Sequence, residues 1–340
     1  MLDDFQKHLN AICPEWKESR FLVAFSGGLD SSALLHLAAL TFAPNQLAAA
    51  HLNHRIRAEA ENDQNFAAEV TEKLNLHFIT DQADVPVLAA ERKRGLEEAA
   101  RWARYNFLGQ AAELWRADFI LTAHQADDQA ETIIMRLIKG GGGGGLAGIH
   151  PRRPLGRKNP QPELLRPLLP FSRERLENWL QAQGHTWMED ASNNDDHYLR
   201  NCLRLEVLPK LKELNPRLLE AMGRCASILR DEENYWTLRL TGLWTKLVDE
   251  KSRPGQLLID RSGLESLTTA EKRRLIYEAF LMIRRQRTGT PEPLTLAGVE
   301  MVIAMLAEPA HKGLDLPGGL RAVLSRERLA LSLASRFTKT

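Results

Sequence analysis

Over its first 140 residues the chain alternates between short apolar runs and longer segments of helical period, and few folds accommodate that alternation. Residues 21–25 (FLVAF) form a run of strand length, and residues 31–40 follow with a helical pattern. Residues 47–52 are a second strand candidate, 58–76 a long helical stretch, and 77–79 the start of a third strand. Residues 95–117 read as a long amphipathic helix, 118–123 (DFILTA) as a fourth strand, and 125–139 as helix again. The order βαβαβαβα predicts an open parallel sheet with helices on both faces, because parallel neighbours need a crossover and a helix is the usual one.

The alternation then breaks. Residues 140–145 are six consecutive glycines, followed by LAGIHPRRPLGRKNPQPE. Glycine gains nothing from helix or strand, so this stretch predicts a mobile loop without a regular element. Residues 164–170 look extended, and 173–183 read as a helix with Ser172 as its N-cap. Residues 192–196 are polar and turn-like. Residues 198–211 are helical, with Pro209 near the end. From 216 to about 305 the pattern is mostly helical, and residues 313–334 read as short strands around a Pro-Gly-Gly turn. A length of 340 residues suits two domains, and the boundary is expected near Asn215, giving 1–215 and a smaller, mainly helical 216–340.

Composition narrows the class. No apolar run approaches the roughly 18 residues of a membrane helix, and the start, MLDDFQKHLN, is too acidic and polar for a secretory signal. Cys13, Cys202 and Cys225 are scattered, with no CxxC pair, which points to a reduced, cytoplasmic protein. Net charge is +1, but residues 251–340 carry 15 Lys/Arg against 9 Asp/Glu, while residues 1–250 carry 30 against 35. A basic end beside an acidic body permits a polyanion-binding module, and equally a chance excess on a solvated face.

Three clusters follow strand ends. The first is SGGLDSS, residues 26–32: Ser26, Gly27, Gly28, Leu29, Asp30, Ser31 and Ser32. Two glycines let the backbone turn tightly, and the amides of the following helix favour an anion. The loop is neither GxGxxG nor Walker A and has no lysine, so phosphate charge must be met by amides, hydroxyls, distant bases or Mg²⁺. Asp30 is unfavourable in such a loop unless it holds a metal. The second cluster is HLNHRIR, which brings His51, Asn53, His54 and Arg57 to one strand end. The third is TAHQADDQAET, where His124, Asp128 and Glu131 share a helical face and Asp127 lies beside them. Those carboxylates repel unless a cation, a metal or an ammonium sits among them; an acidic helix start satisfying its dipole is the plainer alternative. A further helix, GLEEAARWARYNFL, places Arg101, Arg104 and Tyr105 on one stripe, either reaching a substrate or pairing on the surface, for instance Glu97 with Arg101. Ligands of open parallel sheets bind at the strand ends where these clusters converge.

Together, SGGLDS, HLNHRIR, ARWARY and TAHQADDQAET resemble the PP-loop (N-type ATP pyrophosphatase, Rossmann-like) enzymes, and within them the tRNA(Ile)-lysidine synthetase family. DASNNDDHYLRNCLRLEVLP, residues 190–209, is similar to that family's SN…RN segment and adds Asn193, Arg200, Asn201 and Arg204. The resemblance covers about residues 20–225 and continues more weakly to the end. It implies ATP-dependent adenylation of the wobble cytidine of an isoleucine tRNA with a CAU anticodon, then attack by free L-lysine to give lysidine. It implies that residues 26–32 hold ATP, with Asp30 a Mg²⁺ ligand. Arg104 and His124 would stabilise the adenylated intermediate, and Asp128 and Glu131 would hold lysine. Asn53, His54, Arg57, Asn193, Arg200, Asn201 and Arg204 would face lysine or tRNA. Members with a further C-terminal domain are longer, so tRNA discrimination is expected on residues 216–340. The oligomeric state is left open. Two alternatives share the phosphate loop: a 2-thiocytidine synthetase, disfavoured by the missing cysteine pair, and a small-molecule ligase.

Overall fold

The computed structural model describes residues 1–55, 60–156, 162–188, 198–253, 255–285, 295–309 and 312–333. They fall into two units, 1–231 and 232–340. In the first unit the elements run α1 (Leu2–Ile12), β1 (Phe21–Ala24), α2 (Leu29–Ala39), β2 (Leu47–Asn53), α3 (Ala60–Lys73), β3 (His77–Gln82), α4 (Val85–Arg92), α5 (Leu96–Trp115), β4 (Phe119–Leu121) and α6 (Ala126–Ile138). Then come α7 (Gly143–Leu146), β5 (Arg152–Pro154), β6 (Glu163–Leu165), α8 (Arg173–Ala182), α9 (Tyr198–Cys202), a π-helical turn (Leu203–Val207) and α10 (Leu208–Leu214). The division falls inside α11 (Leu218–Leu247), so the boundary expected near Asn215 lies within the first unit.

The first unit is built on a sheet of order β3-β2-β1-β4-β6-β5. Its first five strands are parallel and only β5 runs antiparallel, beside β6. Alternate side chains leave a strand on opposite faces, and β1 and β2 use both. Phe21, Val23, Leu47 and Ala49 enter a core with Phe5 and Leu9 of α1, Leu34 and Leu37 of α2, and Leu176 and Leu180 of α8. Leu22, Ala48 and Ala50 point the other way, against Phe107, Leu108, Ala111 and Ala112 of α5. Burial on both faces is why these strands read as continuous apolar runs. The chain crosses from one side of β1 to the other between β3 and β4, and this switch point is where such sheets open a crevice.

Two local expectations are corrected. The glycine run does hold a regular element: residues 143–146 form a helical turn, with Arg136 Nη1 donating to the carbonyls of Gly145, at 2.7 Å, and Gly148, at 2.9 Å. Pro209, expected near the end of one helix over 198–211, sits instead in the first turn of a separate segment, α10, and the helical run continues to Leu214. A proline removes an amide and crowds the carbonyl four residues back, and the preceding π-helical turn gives the backbone another spacing there.

The second unit adds β7 (Val248–Arg253), β8 (Gln256–Asp260), α12 (Arg261–Ser266), α13 (Thr269–Arg285), α14 (Leu296–Met305), β9 (Lys312–Leu316), β10 (Leu320–Leu324) and β11 (Arg328–Leu333). Its strands form an antiparallel sheet of order β7-β8-β11-β10-β9. The unit keeps the expected helices, α12–α14 and the end of α11, but β7 and β8 lie inside the stretch read as helix and join the antiparallel sheet. The Pro-Gly-Gly turn joins β9 to β10 as expected, with Gly318 and Gly319 at φ of 79° and 70°. Leu257, Ile259, Phe280, Val302, Leu320 and Leu331 centre a core of this unit alone. Among the described residues no helix is long and apolar enough to cross a membrane.

Candidate active site

β1 ends at Ala24 and α2 begins at Leu29, so Phe25 and the SGG of residues 26–28 make the whole connection. Gly27 has φ of 86°, a left-handed geometry that favours glycine, and a Cβ there would meet the Phe66 ring at 3.4 Å. The turn is tied from within. Ser31 Oγ donates to Gly28 O at 2.9 Å, Ser26 N donates to Ser31 Oγ at 3.3 Å, and Ser32 Oγ donates to Gly27 O at 3.2 Å. Met188 N also donates to Gly27 O, at 2.9 Å. These bonds fix the carbonyls, while the first-turn amides of α2 have no acceptor within the helix. Leu29 is buried beneath the turn.

Asp30 lies in that first turn. Its Oδ2 accepts from Arg173 Nη1 at 3.0 Å, while its Oδ1 is buried without a hydrogen-bond partner. Burial lifts its carboxyl to about 6, against the pull of Arg173 and with the push of Asp128.

At the end of β4, Gln125 caps α6. Its side chain accepts from Asp127 N, and Asp128 Oδ2 accepts from Gln125 N at 3.1 Å. The acids that follow are held by cations of this chain. Asp127 accepts from Lys212 Nζ, at 2.5 Å, and from Arg173 N, at 2.9 Å. Asp128 Oδ1 accepts from Arg200 Nη2 at 2.8 Å. Glu131, with no exposed surface, accepts from Arg200 Nε at 2.5 Å and Arg204 Nε at 2.7 Å. The sequence demanded a cation among these carboxylates, and α9 with the π-helical turn supplies two guanidiniums. Asp128 still has its carboxyl raised by burial, against the opposing pull of Arg200. Asn201 lies beside Arg200, half-buried. Among the described residues no group of three or more His, Cys, Asp or Glu is arranged to hold a metal ion.

Two histidines face the same edge. His124 shares a hydrogen bond with Thr122 Oγ1 at 3.1 Å, and burial together with Arg166, Arg104, Arg200 and Arg101 pushes its pKa down to about 3. His54 is held down to about 4 by burial, Arg104 and His51. Both are therefore neutral at pH 7. Asn53 Nδ2 donates to Gln64 Oε1 at 3.3 Å, and its Oδ1 accepts from Arg55 N at 3.0 Å. Arg57 and Asn193 lie outside the described residues. Among the described residues the surface pair at the start of α5 is Arg94 with Glu98, at 2.7 Å, rather than Glu97 with Arg101.

Sequence reasoning missed Arg173 and Lys212. Nothing in their local patterns marks them, although the uncompensated acids signalled that such partners must exist. It also missed Arg166, 3% exposed in a segment that reads only as extended.

An open parallel sheet with a glycine turn and a helix start at its switch point defines a phosphate-binding α/β protein. The PP-loop domain family matches residues 1–211, and the chain belongs to that family. It is 37% identical over 246 residues to a tRNA(Ile)-lysidine synthase of Geobacter sulfurreducens, a match covering 72% of this chain and 49% of that protein. It is 36% identical over 301 residues to the tRNA(Ile)-lysidine synthase of Pseudomonas aeruginosa, covering 86% and 64%. The chain thus spans about half of the first relative's length and under two thirds of the second's. Among solved structures, the U34-tRNA thiolase NcsA from Methanococcus maripaludis with its [4Fe-4S] cluster shares the fold, with a TM-score of 0.56, 14% identity and coverage of 67% and 79%.

Proposed function

We propose that this chain is a tRNA(Ile)-lysidine synthase: it uses ATP to adenylate the wobble cytidine of an isoleucine tRNA with a CAU anticodon, and free L-lysine then displaces AMP. The observation that carries this reading is the meeting, on one strand edge, of an anion-binding turn with a buried set of acids that holds cations. A nucleoside triphosphate calls for the first, and a lysine ammonium would share the second with Arg200, Arg204 and Lys212.

In this mechanism the α2 amides and the hydroxyls of Ser26, Ser31 and Ser32 bind the phosphates, and Gly27 lets the backbone approach them closely. The partnerless Oδ1 of Asp30 fits a single carboxylate contact to Mg²⁺, which takes few protein ligands and keeps phosphate and water oxygens. Bound there, the ion would neutralise pyrophosphate charge. The cation of Arg104 and the neutral imidazole of His124 face the negative charge that develops at the α-phosphate. Lysine must lose a proton before attack, since its unperturbed pKa is near 10.4. Asp128, with a carboxyl raised by burial, is suited to take it. Residues 216–340 are assigned to tRNA contact, on the basic excess of residues 251–340.

The test is incubation with ATP, labelled lysine and a CAU-anticodon isoleucine tRNA transcript, with nucleoside mass spectrometry. Lysidine should appear only with ATP, and only when position 34 is cytidine. Pyrophosphate release without lysine incorporation at saturating lysine would refute the second half-reaction.

A further inference from the structure

Beside the candidate site, α5 and the β5–β6 hairpin gather like charges around one ring. The guanidinium carbons of Arg101, Arg104 and Arg153 lie 4.9, 5.7 and 5.7 Å from the Tyr105 ring centroid. Arg166 acts electrostatically on the same tyrosine, favouring its ionised form. It is 3% exposed, donates Nη1 to the His150 carbonyl, and leaves its Nε buried without a partner. Nearby carboxylates are largely engaged elsewhere: Glu98 by Arg94 and Glu163 by Arg152, with Glu97 and Glu113 exposed on α5 itself. Four guanidiniums this close repel one another, and a buried guanidinium with one N–H unpartnered is costly, so the arrangement calls for an anion.

Arg101, Tyr105 and Arg153, but not Arg104 or Arg166, line a groove of about 1160 Å³ that runs along α5 as far as Arg116, and Asp118, which also lines it, accepts from Arg20 N. Fifteen helical residues give it a length of roughly 22 Å, too long for a single phosphate group and suited to a strand. Its aromatic rings are already covered, Trp102 by Arg92 with the guanidinium carbon 3.4 Å from the ring centroid and Tyr105 by its arginines. Base stacking is therefore not what the groove offers. We propose that Arg101, Arg153 and Arg166, set around Tyr105, hold a backbone phosphodiester of the substrate RNA and that the α5 groove continues this track away from the reacting base. The proposal rests on the reading of the substrate as RNA. The cluster would fix the strand by its phosphates while the strand-end site acts on one base.

The experiment uses the full chain with Arg101→Gln and Arg153→Gln combined, both outside the core. Affinity for the CAU-anticodon transcript is measured by filter binding across KCl concentrations. Each phosphate contact contributes about 0.7–0.9 to the slope of log affinity against log salt, so the double variant should lose about 1–2 from that slope. It should bind roughly tenfold or more weakly at low salt, with ATP affinity in the absence of RNA within about twofold of the parent. An unchanged slope in a parent that binds the transcript overturns this proposal alone. A changed affinity for inorganic pyrophosphate with an unchanged RNA slope also overturns it, assigning the cluster to the leaving group. A parent that binds no RNA overturns both this and the proposed function. RNA binding lost as expected in a protein that never forms lysidine leaves the groove standing and sinks the lysidine reading.

Discussion

Glu131 is a carboxylate with no exposed surface, and only its partners make that tolerable. Arg200 and Arg204 each donate through Nε, and both keep a third or more of their side chains in solvent. Removing the charge while keeping the shape, as in Glu131→Gln, takes a charge-assisted acceptor from each guanidinium. The expected loss is roughly 1.5–3 kcal/mol of folding stability, toward the lower end because exposed guanidiniums recover hydration. A urea-denaturation cycle with Arg204→Met should show a coupling of at least ~0.5 kcal/mol in the absence of any ligand. Were Glu131 reserved for substrate lysine alone, stability without lysine would not change and the coupling would vanish. The acids of this site were legible in TAHQADDQAET, because like charges at helical spacing require a counter-charge. The pairing was not: Arg173 and Lys212 carried no local mark, Arg200 and Arg204 were expected to face lysine or tRNA, and all four lie 40 to more than 80 residues further along the chain, where only folding sets them opposite the acids.

At the scale of elements, legibility followed burial. β1, β2 and β4 are apolar on both faces and could be read directly, as could α5 and the Ser172 cap, where Arg175 N donates to Ser172 Oγ. β7, with the sequence VDEKSR, has no apolar pattern and is held as a strand by pairing with β8. The glycine run was misread for the opposite reason, since its helical turn is imposed from outside by Arg136 rather than by its own side chains. That account separates two substitutions a few residues apart. A Cβ on Gly145 would touch little, the nearest atom being Arg136 Cδ at 4.0 Å, whereas one on Gly141 would lie 2.8 Å from the Arg136 carbonyl oxygen. Gly145→Ala should therefore stabilise by about 0.4–1 kcal/mol through lost unfolded-state freedom. Gly141→Ala should destabilise by more than about 1 kcal/mol, because backbone must shift to admit it. Thermal melts of the two variants decide it; equal shifts of one sign would mean that the run is not held as described.

The whole molecule carries separate cores, one set within residues 1–231 and another within 232–340, so a single two-state transition is not expected. The two units should also respond differently to acid. Burial holds His8, His36 and His54 near 4 and His124 near 3 when folded, with Arg230 adding to it for His8 and the stacked His185 for His36. Unfolded, each returns to about 6.5. Between those values the unfolded chain binds protons that the folded chain refuses, so stability falls as pH falls from about 6.5 toward 4. Each histidine contributes roughly 1–2 kcal/mol to that loss by pH 5. Asp30 works the other way: its carboxyl near 6 when folded lets the folded state keep a proton that the unfolded state releases, offsetting part of the loss. The second unit has no such histidine among its described residues. Its shifted carboxylates, Asp260 and Glu271, are held below the usual range by hydrogen bonds, from Gly263 N and Ser262 Oγ to the first and from Thr268 and Arg239 to the second, and give up stability only nearer pH 4. Scanning calorimetry at pH 7 and pH 5 should resolve two transitions. One should fall by on the order of 10 °C while the other stays within a few degrees. Hydrogen exchange by mass spectrometry, taken between the two transitions at pH 5, should find residues 1–231 open and the β8–β11–β10 strands still protected. Two transitions that move together, or protection surviving in β1 and β2 instead, would mean that the buried histidines do not govern the acid stability of the first unit.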